Sequence, residues 1–290
     1  AGGGAGGRIQ LPPYDDVFDG DALLAVWANG GAPYQGAFQS DVCTLGAAGT
    51  VFYTDTSTGG GGSSGGGVNG GHGDNLLLVQ QDPKFQTLQS ARSYVCNSNE
   101  PLRDIGSLQI INGAMLDTTM GGAAFHVERR VSLSANAFFT CSSIVAGDFS
   151  VTGSSSIVGL RQREAQVKLN ISSLYVDPQS DISNLAELVV SGSVNLFGVI
   201  TTRQTMHVSI GEALTVKTLG SLHAGKLSIV AGSMNVYGQV QASDIVPFSI
   251  TPYGLNCSDT AVSPFAWGAT LWLNISSLTI YPAGVVASSV

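Results

Sequence analysis

The sequence predicts an all-β chain wound as a parallel β-helix, a solenoid of about 20 residues per coil with glycine-rich loops. Three observations carry this expectation. Gly192-Ser-Val-Asn-Leu-Phe-Gly198 recurs forty positions later as Gly232-Ser-Met-Asn-Val-Tyr-Gly238. Short alternating apolar segments repeat at half that period. Helix signals are almost absent.

The segments fall into two series. Leu174-Tyr-Val176, Val194-Asn-Leu196, Leu214-Thr-Val216 and Met234-Asn-Val236 form one. Leu169-Asn-Ile171, Leu188-Val-Val190, Val208-Ser-Ile210 and Leu227-Ser-Ile229 run about six residues ahead of it. Between them lie small residues, Ser172-Ser173, Ser191-Gly-Ser193, Gly211-Glu-Ala213 and Ala231-Gly-Ser233, which read as corners where the chain bends at little steric cost. Strand, corner, strand and a longer return make one coil. A single coil cannot bury its own apolar side, so neighbours must stack, with Leu, Val and Ile inward and Ser, Thr and Asn outward. Upstream, Phe149-Ser-Val-Thr-Gly153 matches Leu188-Val-Val-Ser-Gly192, and Gly159 matches Gly198, both at an offset of thirty-nine. A β-sandwich also has many short strands, but it supplies no reason for a matched period.

Residues 241–272 break the period, and Leu273-Asn-Ile-Ser-Ser-Leu-Thr-Ile280 then restores the pattern of Leu169-Asn-Ile-Ser-Ser-Leu-Tyr-Val176. The interval reads as a loop inserted between coils of one solenoid spanning 76–290. Residues 1–75 differ in texture: strand-like Arg8-Ile-Gln-Leu11, Leu23 to Trp27 and Gly49-Thr-Val-Phe-Tyr53 are separated by glycine tracts. They end in the Gly/Ser stretch between Thr58 and Asn75, expected to be a flexible loop. The abrupt glycine run at one end and Val-Ala-Ser-Ser-Val at the other suggest a fragment of a longer chain.

Composition then narrows the function classes. Charged residues make up 11% of the 290, and 38 are glycine, so the chain departs from an ordinary charged globular surface. The net charge of -8, with no basic run interleaved with aromatics, argues against nucleic acid as a partner. The longest apolar runs, such as Ala22 to Ala28, are too short for a membrane span.

Three Asn-x-Ser sequons, at Asn170, Asn256 and Asn274, are candidate N-glycosylation sites and point to secretion. The four cysteines, Cys43, Cys96, Cys141 and Cys257, have no metal-ligand spacing, and an even count fits disulfides formed outside the cytosol. Three pairings are open.

Gly2-Gly-Gly-Ala-Gly-Gly-Arg-Ile9, followed by Phe18-Asp-Gly20, Asn29-Gly-Gly31 and Gly49-Thr-Val-Phe-Tyr53, resembles the glycine-rich GGxGGRI modules of very large extracellular β-helix proteins. The resemblance covers about the first 80 residues. It implies a cell-surface location, and among such proteins the glycosylated chains of tubular flagellar hairs, the mastigonemes of heterokont algae and oomycetes, look most similar.

Several formal motifs do not hold up. Gly2-x-Gly4-x-x-Gly7 fits a dinucleotide pattern, but Arg8-Ile-Gln-Leu11 after it reads as strand where a helix is needed. Gly220-Ser-Leu-His-Ala-Gly225-Lys226 resembles a phosphate loop, yet Leu227 stands where a hydroxyl ligand belongs. Gly61-Gly-Ser-Ser-Gly65 lacks the strained turn of a nucleophile elbow. His72, His126, His207 and His223 have no zinc spacing, so His126 and His207 read as structural. Asp15, Asp16, Asp19 and Asp21 form an acidic turn that is a calcium candidate, though a solvated loop is the plainer reading.

Because β-helices also house polysaccharide lyases and hydrolases, clustered carboxylates on one face would signal an enzyme. Arg161, Arg163, Glu164, Asp177, Asp181 and Glu212 are instead separated by about a coil or lie in loops. No cofactor is expected. Trp27, Trp267 and Trp272 are candidate sugar-stacking platforms, with core or corner packing the plainer reading. The sequence therefore points to a non-enzymatic structural segment of a secreted filamentous glycoprotein that associates with itself or with neighbouring modules. An adhesin or carbohydrate-binding module and a polysaccharide-active enzyme are the rivals.

Overall fold

A computed structural model describes residues 8–11, 45–47, 49–53, 76–81, 90–94, 105–118, 124–158, 167–243 and 269–289. The strands, in chain order, are β1 (Arg8–Leu11), β2 (Leu45–Ala47), β3 (Gly49–Tyr53), β4 (Leu76–Gln80), β5 (Ser90–Tyr94), β6 (Ser107–Ile111), β7 (Met115–Asp117) and β8 (Phe125–Ser134). There follow β9 (Phe138–Thr140), β10 (Ser143–Val151), β11 (Ser156–Val158), β12 (Val167–Val176), β13 (Asp181–Ser183), β14 (Leu185–Val190) and β15 (Val194–Leu196). The last are β16 (Val199–Thr201), β17 (Thr205–Val216), β18 (Ser221–Ala224), β19 (Lys226–Val236), β20 (Gln239–Ser243), β21 (Thr270–Ile280) and β22 (Val285–Ser289). The described residues contain no helix.

These strands make two long sheets, and the chain steps from one to the other within each coil. The first runs β1-β3-β4-β6-β8-β10-β12-β14-β17-β19-β21, with β15 bridging β12 and β17. The second runs β2-β5-β7-β9-β11-β13-β16-β18-β20-β22. Pairing is parallel throughout the described strands except between β3 and β4, which are antiparallel. The chain is thus a parallel β-solenoid with coils of about 21 residues.

Register places the predicted segments on one another. Leu169 pairs with Leu188, Leu188 with Val208, Val208 with Ile229 and Ile229 with Leu273. Leu174, Val194, Leu214, Met234 and Leu278 stack in the same way. The pattern along β12 alternates buried and exposed positions, as the side-chain period of two requires. Apolar residues turned inward meet their register partners in neighbouring coils, and one continuous buried cluster extends from Leu77 to Ala242. Burying a Leu or Val side chain is worth about 1.5–3 kcal/mol, so the stack rather than any single coil supplies the stability.

Two expectations from the sequence need correction. Three of the four small-residue corners between the two series lie inside continuous strands, and only Ser191-Gly-Ser193 separates two strands, β14 and β15. β12, β17 and β19 run straight through the other three, and pairing skips between Ile210 and Ala213 as a local irregularity. The turns between the sheets lie a few residues later, where Ala114, Ala137, Ser155, Ser180, Gly198, Gly220, Gly238 and Gly284 form a column of small residues. Along it each following N–H donates to the carbonyl of the coil before, as Ser221 does to Gly198 and Gln239 to Gly220. The offset-thirty-nine match also set the wrong halves together: Phe149 pairs with Leu174, whereas Leu188 pairs with Leu169. Coil lengths vary between these strands, so a fixed offset drifts by part of a coil.

β19 pairs directly with β21 over ten positions, and β20 with β22, although residues 244–269 lie between β20 and β21. The Gly/Ser stretch from Thr58 to Asn75 and the Gly2 and Gly61 motifs lie outside the described residues. Gly220 to Lys226 is a corner glycine followed by β18 and the start of β19, so no helix N-terminus faces its glycines.

Candidate functional site

The outward rows of the first sheet form the broadest described surface. One row contains Val145, Asn170, Val189, Ser209, Val230 and Asn274 in register. Asn170 and Asn274 are both exposed, so two of the three sequons share one row of one face. Four strand steps of about 4.8 Å separate them by about 19 Å. Asn256 lies outside the described residues. A second row, Ser150, Tyr175, Asn195, Thr215, Asn235 and Thr279, is polar and uncharged apart from its one aromatic ring.

Charges on this surface are tied to neighbouring coils. The Ser173 hydroxyl donates to Asp148 (2.7 Å), and the Ser193 hydroxyl to Glu212 (2.8 Å). Asp177 accepts the Gly153 N–H (2.6 Å) and the Gln179 N–H (3.1 Å), capping a turn. Asp181 accepts the Ser156 hydroxyl; burial raises its carboxyl above the ordinary value, and this hydrogen bond partly offsets the shift. Lys168 and Glu187 form an exposed ion pair at 3.2 Å, of the kind worth at most about 1 kcal/mol. These carboxylates cap ladders and turns and do not face one another across a cleft. Arg161, Arg163 and Glu164 lie outside the described residues.

Where the chain leaves the first sheet, side chains from successive coils line up. Tyr175 packs on Phe197 with ring centroids 5.6 Å apart, and the Lys217 ammonium sits over the rings of Phe197 (5.7 Å) and Tyr237 (5.5 Å). Tyr237 stacks on Tyr281 at 3.7 Å with only 12° between ring planes. A hydrogen bond between these two side chains, with the neighbouring phenol's charge, holds the Tyr281 hydroxyl above its ordinary value, and Lys217 pulls in the other direction. In this stacked pair and under Lys217 the facing ring surfaces are taken up by one another and by the ammonium, and so are closed to a sugar.

Two other features could meet a ligand. Trp272 is 50% exposed on the outer face of β21, beside Ser228, so its ring is neither core nor corner packing. Sequence alone could not place it, because the insertion hides which coil position it takes. Trp27 and Trp267 lie outside the described residues. A shallow pocket of about 330 Å³ opens at the bend of β6, β8 and β10, lined by Ser107, Leu108, Gln109, Arg129, Arg130 and Asp148.

Cys141 is a free thiol with no exposed surface, and burial, with the Asp117 carboxylate beside it, pushes the thiol up. Cys43, Cys96 and Cys257 lie outside the described residues. Since the thiolate is the reactive form, Cys141 is expected to resist a maleimide in the native protein and to react fully in denaturant. Mass spectrometry of labelled peptides checks this, and native labelling at Cys141 would show that its coil opens.

The histidines divide by position. His126 and His207 occupy exposed strand positions and His72 lies outside the described residues. His223 is buried, its Nδ1 without a partner. Burial lowers its basicity below the ordinary value of 6.5, against a raising hydrogen bond with Gln239. Its stabilising contribution is therefore full above pH 6.5 and is lost as pH falls through the lower folded-state value, because the unfolded chain then binds the proton first. Urea midpoints measured across that range should fall on acidification in the wild type and fall less in His223→Gln.

Among the described residues no group of three His, Cys, Asp or Glu side chains is placed to hold a metal ion. Asp15, Asp16, Asp19 and Asp21 lie outside them. Comparison with protein-family models, with curated proteins and with solved structures found no match.

Proposed function

We propose that this chain is a stiff, non-enzymatic segment of a secreted, glycosylated cell-surface filament. The observation that carries the reading is the continuity of its inward columns, in which Leu174, Val194, Leu214, Met234 and Leu278 stack in register and one buried cluster runs from Leu77 to Ala242. Solenoid rods of this kind resist bending because each coil extends the same hydrogen-bond ladders.

The outer surface supports the same reading. It carries few charges, its carboxylates cap coils, and two exposed sequons on one row would place glycans along one face. The resemblance of the first 80 or so residues to glycine-rich surface modules supports a cell-surface location and, among such proteins, the flagellar hairs. Electron microscopy of native material should show rods or hairs, with compact soluble particles sinking the filament reading. Incubation with a panel of polysaccharides should release no products, and turnover would refute the non-enzymatic reading.

Trp272 favours a second reading, a carbohydrate-binding surface, because a half-exposed indole beside a serine on an outer strand face suits stacking on a sugar ring. Quenching of tryptophan fluorescence by a glycan, lost in Trp272→Ala, would support that reading over a purely mechanical one.

A further inference from the structure

We propose that Tyr237 and Tyr281 form an oxidative cross-linking site, at which a one-electron oxidant joins them into dityrosine and staples two adjacent coils together. The inference goes beyond the filament reading and does not depend on it.

The geometry is that of a pre-assembled radical pair. The rings lie 3.7 Å apart and within 12° of parallel. Their backbones are locked in adjacent coils, since the Tyr237 N–H donates to Val216 and the Tyr281 N–H to Val236 (2.8 and 2.9 Å). Val236 and Ile280, the residues before them, are direct register partners. Both rings sit at the surface, only partly covered, where a small oxidant can reach them. Tyr175, by contrast, has Phe197 as its neighbour, which carries no hydroxyl to oxidise. Holding two reactants in near-contact is the condition that turns a bimolecular coupling into an intramolecular one.

The chemistry balances with hydrogen peroxide as the oxidant, delivered by a peroxidase. Each phenol gives up one electron and its hydroxyl proton, leaving two ring-delocalised radicals. A carbon–carbon bond forms between the positions ortho to each oxygen. The ring hydrogens displaced at those carbons pass through solvent to the two oxygens, restoring both phenols. The pair has then lost two hydrogens overall, and the peroxide has become two molecules of water.

The test uses the purified full chain, dilute enough to disfavour contacts between molecules, treated with peroxidase and hydrogen peroxide. A parallel tube of free tyrosine shows that the oxidant is active. Expected are blue dityrosine fluorescence, unchanged monomer mobility, and a cross-linked peptide pair carrying Tyr237 and Tyr281, lighter by two hydrogens. Tyr237→Phe and Tyr281→Phe should each abolish that pair while keeping the stacked ring, and Tyr175→Phe should not. Circular dichroism of the variants checks that the fold is intact. The proposal is overturned if the two tyrosines stay unlinked while free tyrosine couples, or if the pair forms equally well in urea, where the stack is gone.

Discussion

Replacing Gly238 with alanine is expected to destabilise the C-terminal coils by about 3 kcal/mol or more, among the largest losses available to a one-methyl change. A Cβ at this position would lie 2.2 Å from the carbonyl oxygen of Gly220 and 2.2 Å from that of Lys217. Neither neighbour is a flexible side chain. The Gly220 oxygen accepts the Gln239 N–H, so moving it to admit the methyl breaks a rung of the ladder. Gly192→Ala is the informative control: its nearest backbone contact, the Ser172 oxygen, is at 2.9 Å, and a smaller loss is expected. Because a solenoid couples mainly between neighbours, hydrogen exchange should rise in β18, β20 and β22 more than in β8 or β10. Equal protection in Gly238→Ala and wild type would show that the corner has room to spare.

The second large effect is expected at Phe139. This side chain is fully buried and meets Phe125 edge-on, with centroids 6.3 Å apart and planes at 76°. Phe139→Ala removes a large apolar volume from a core walled by β-ladders that cannot collapse around it, and losses of this kind run to about 3–5 kcal/mol. The edge-to-face contact adds about 0.5–1.5 kcal/mol beyond burial. A double-mutant cycle with Phe125→Leu, read from urea midpoints, should return a coupling of that size. Phe139→Leu should lose much less than Phe139→Ala. If leucine and alanine cost the same, the stability there comes from something other than filled volume.

Much of this fold is legible in the chain because a stacked solenoid converts tertiary neighbours into a sequence period. Leu169, Leu188, Val208 and Ile229 recur because each must meet its equivalent one coil away. The return of Leu273 to Ile280 after a long interruption was readable for the same reason. The turns were less legible. Ser155, Ser180, Gly198 and Gly220 occupy one column, yet serine and glycine are common throughout this chain, so smallness alone did not mark them. Ser172 and Ser173 looked like a corner and lie within a strand.

The surface divides in the same way. Sequons are local patterns, so Asn170 and Asn274 could be named from the chain, and the solenoid period already hinted at equivalent positions. That both are exposed on one row depends on the side-chain alternation of β12 and β21. Trp272 and Cys141 carry no periodic mark, and although Tyr237 stands at the position of Phe197 in the forty-residue repeat, nothing in the chain marks its stacking on Tyr281. Their exposure, burial and stacking arise from contacts between coils.

By itself, then, the sequence determined the all-β solenoid class and its coil length, because alternation and period are one-dimensional records of stacking. Only the tertiary structure decided where the chain turns, which thiol is sealed in the core and which rings touch. Those depend on how far each coil drifts against the next, and coil lengths that vary by a few residues leave that drift unspecified until the ladders form.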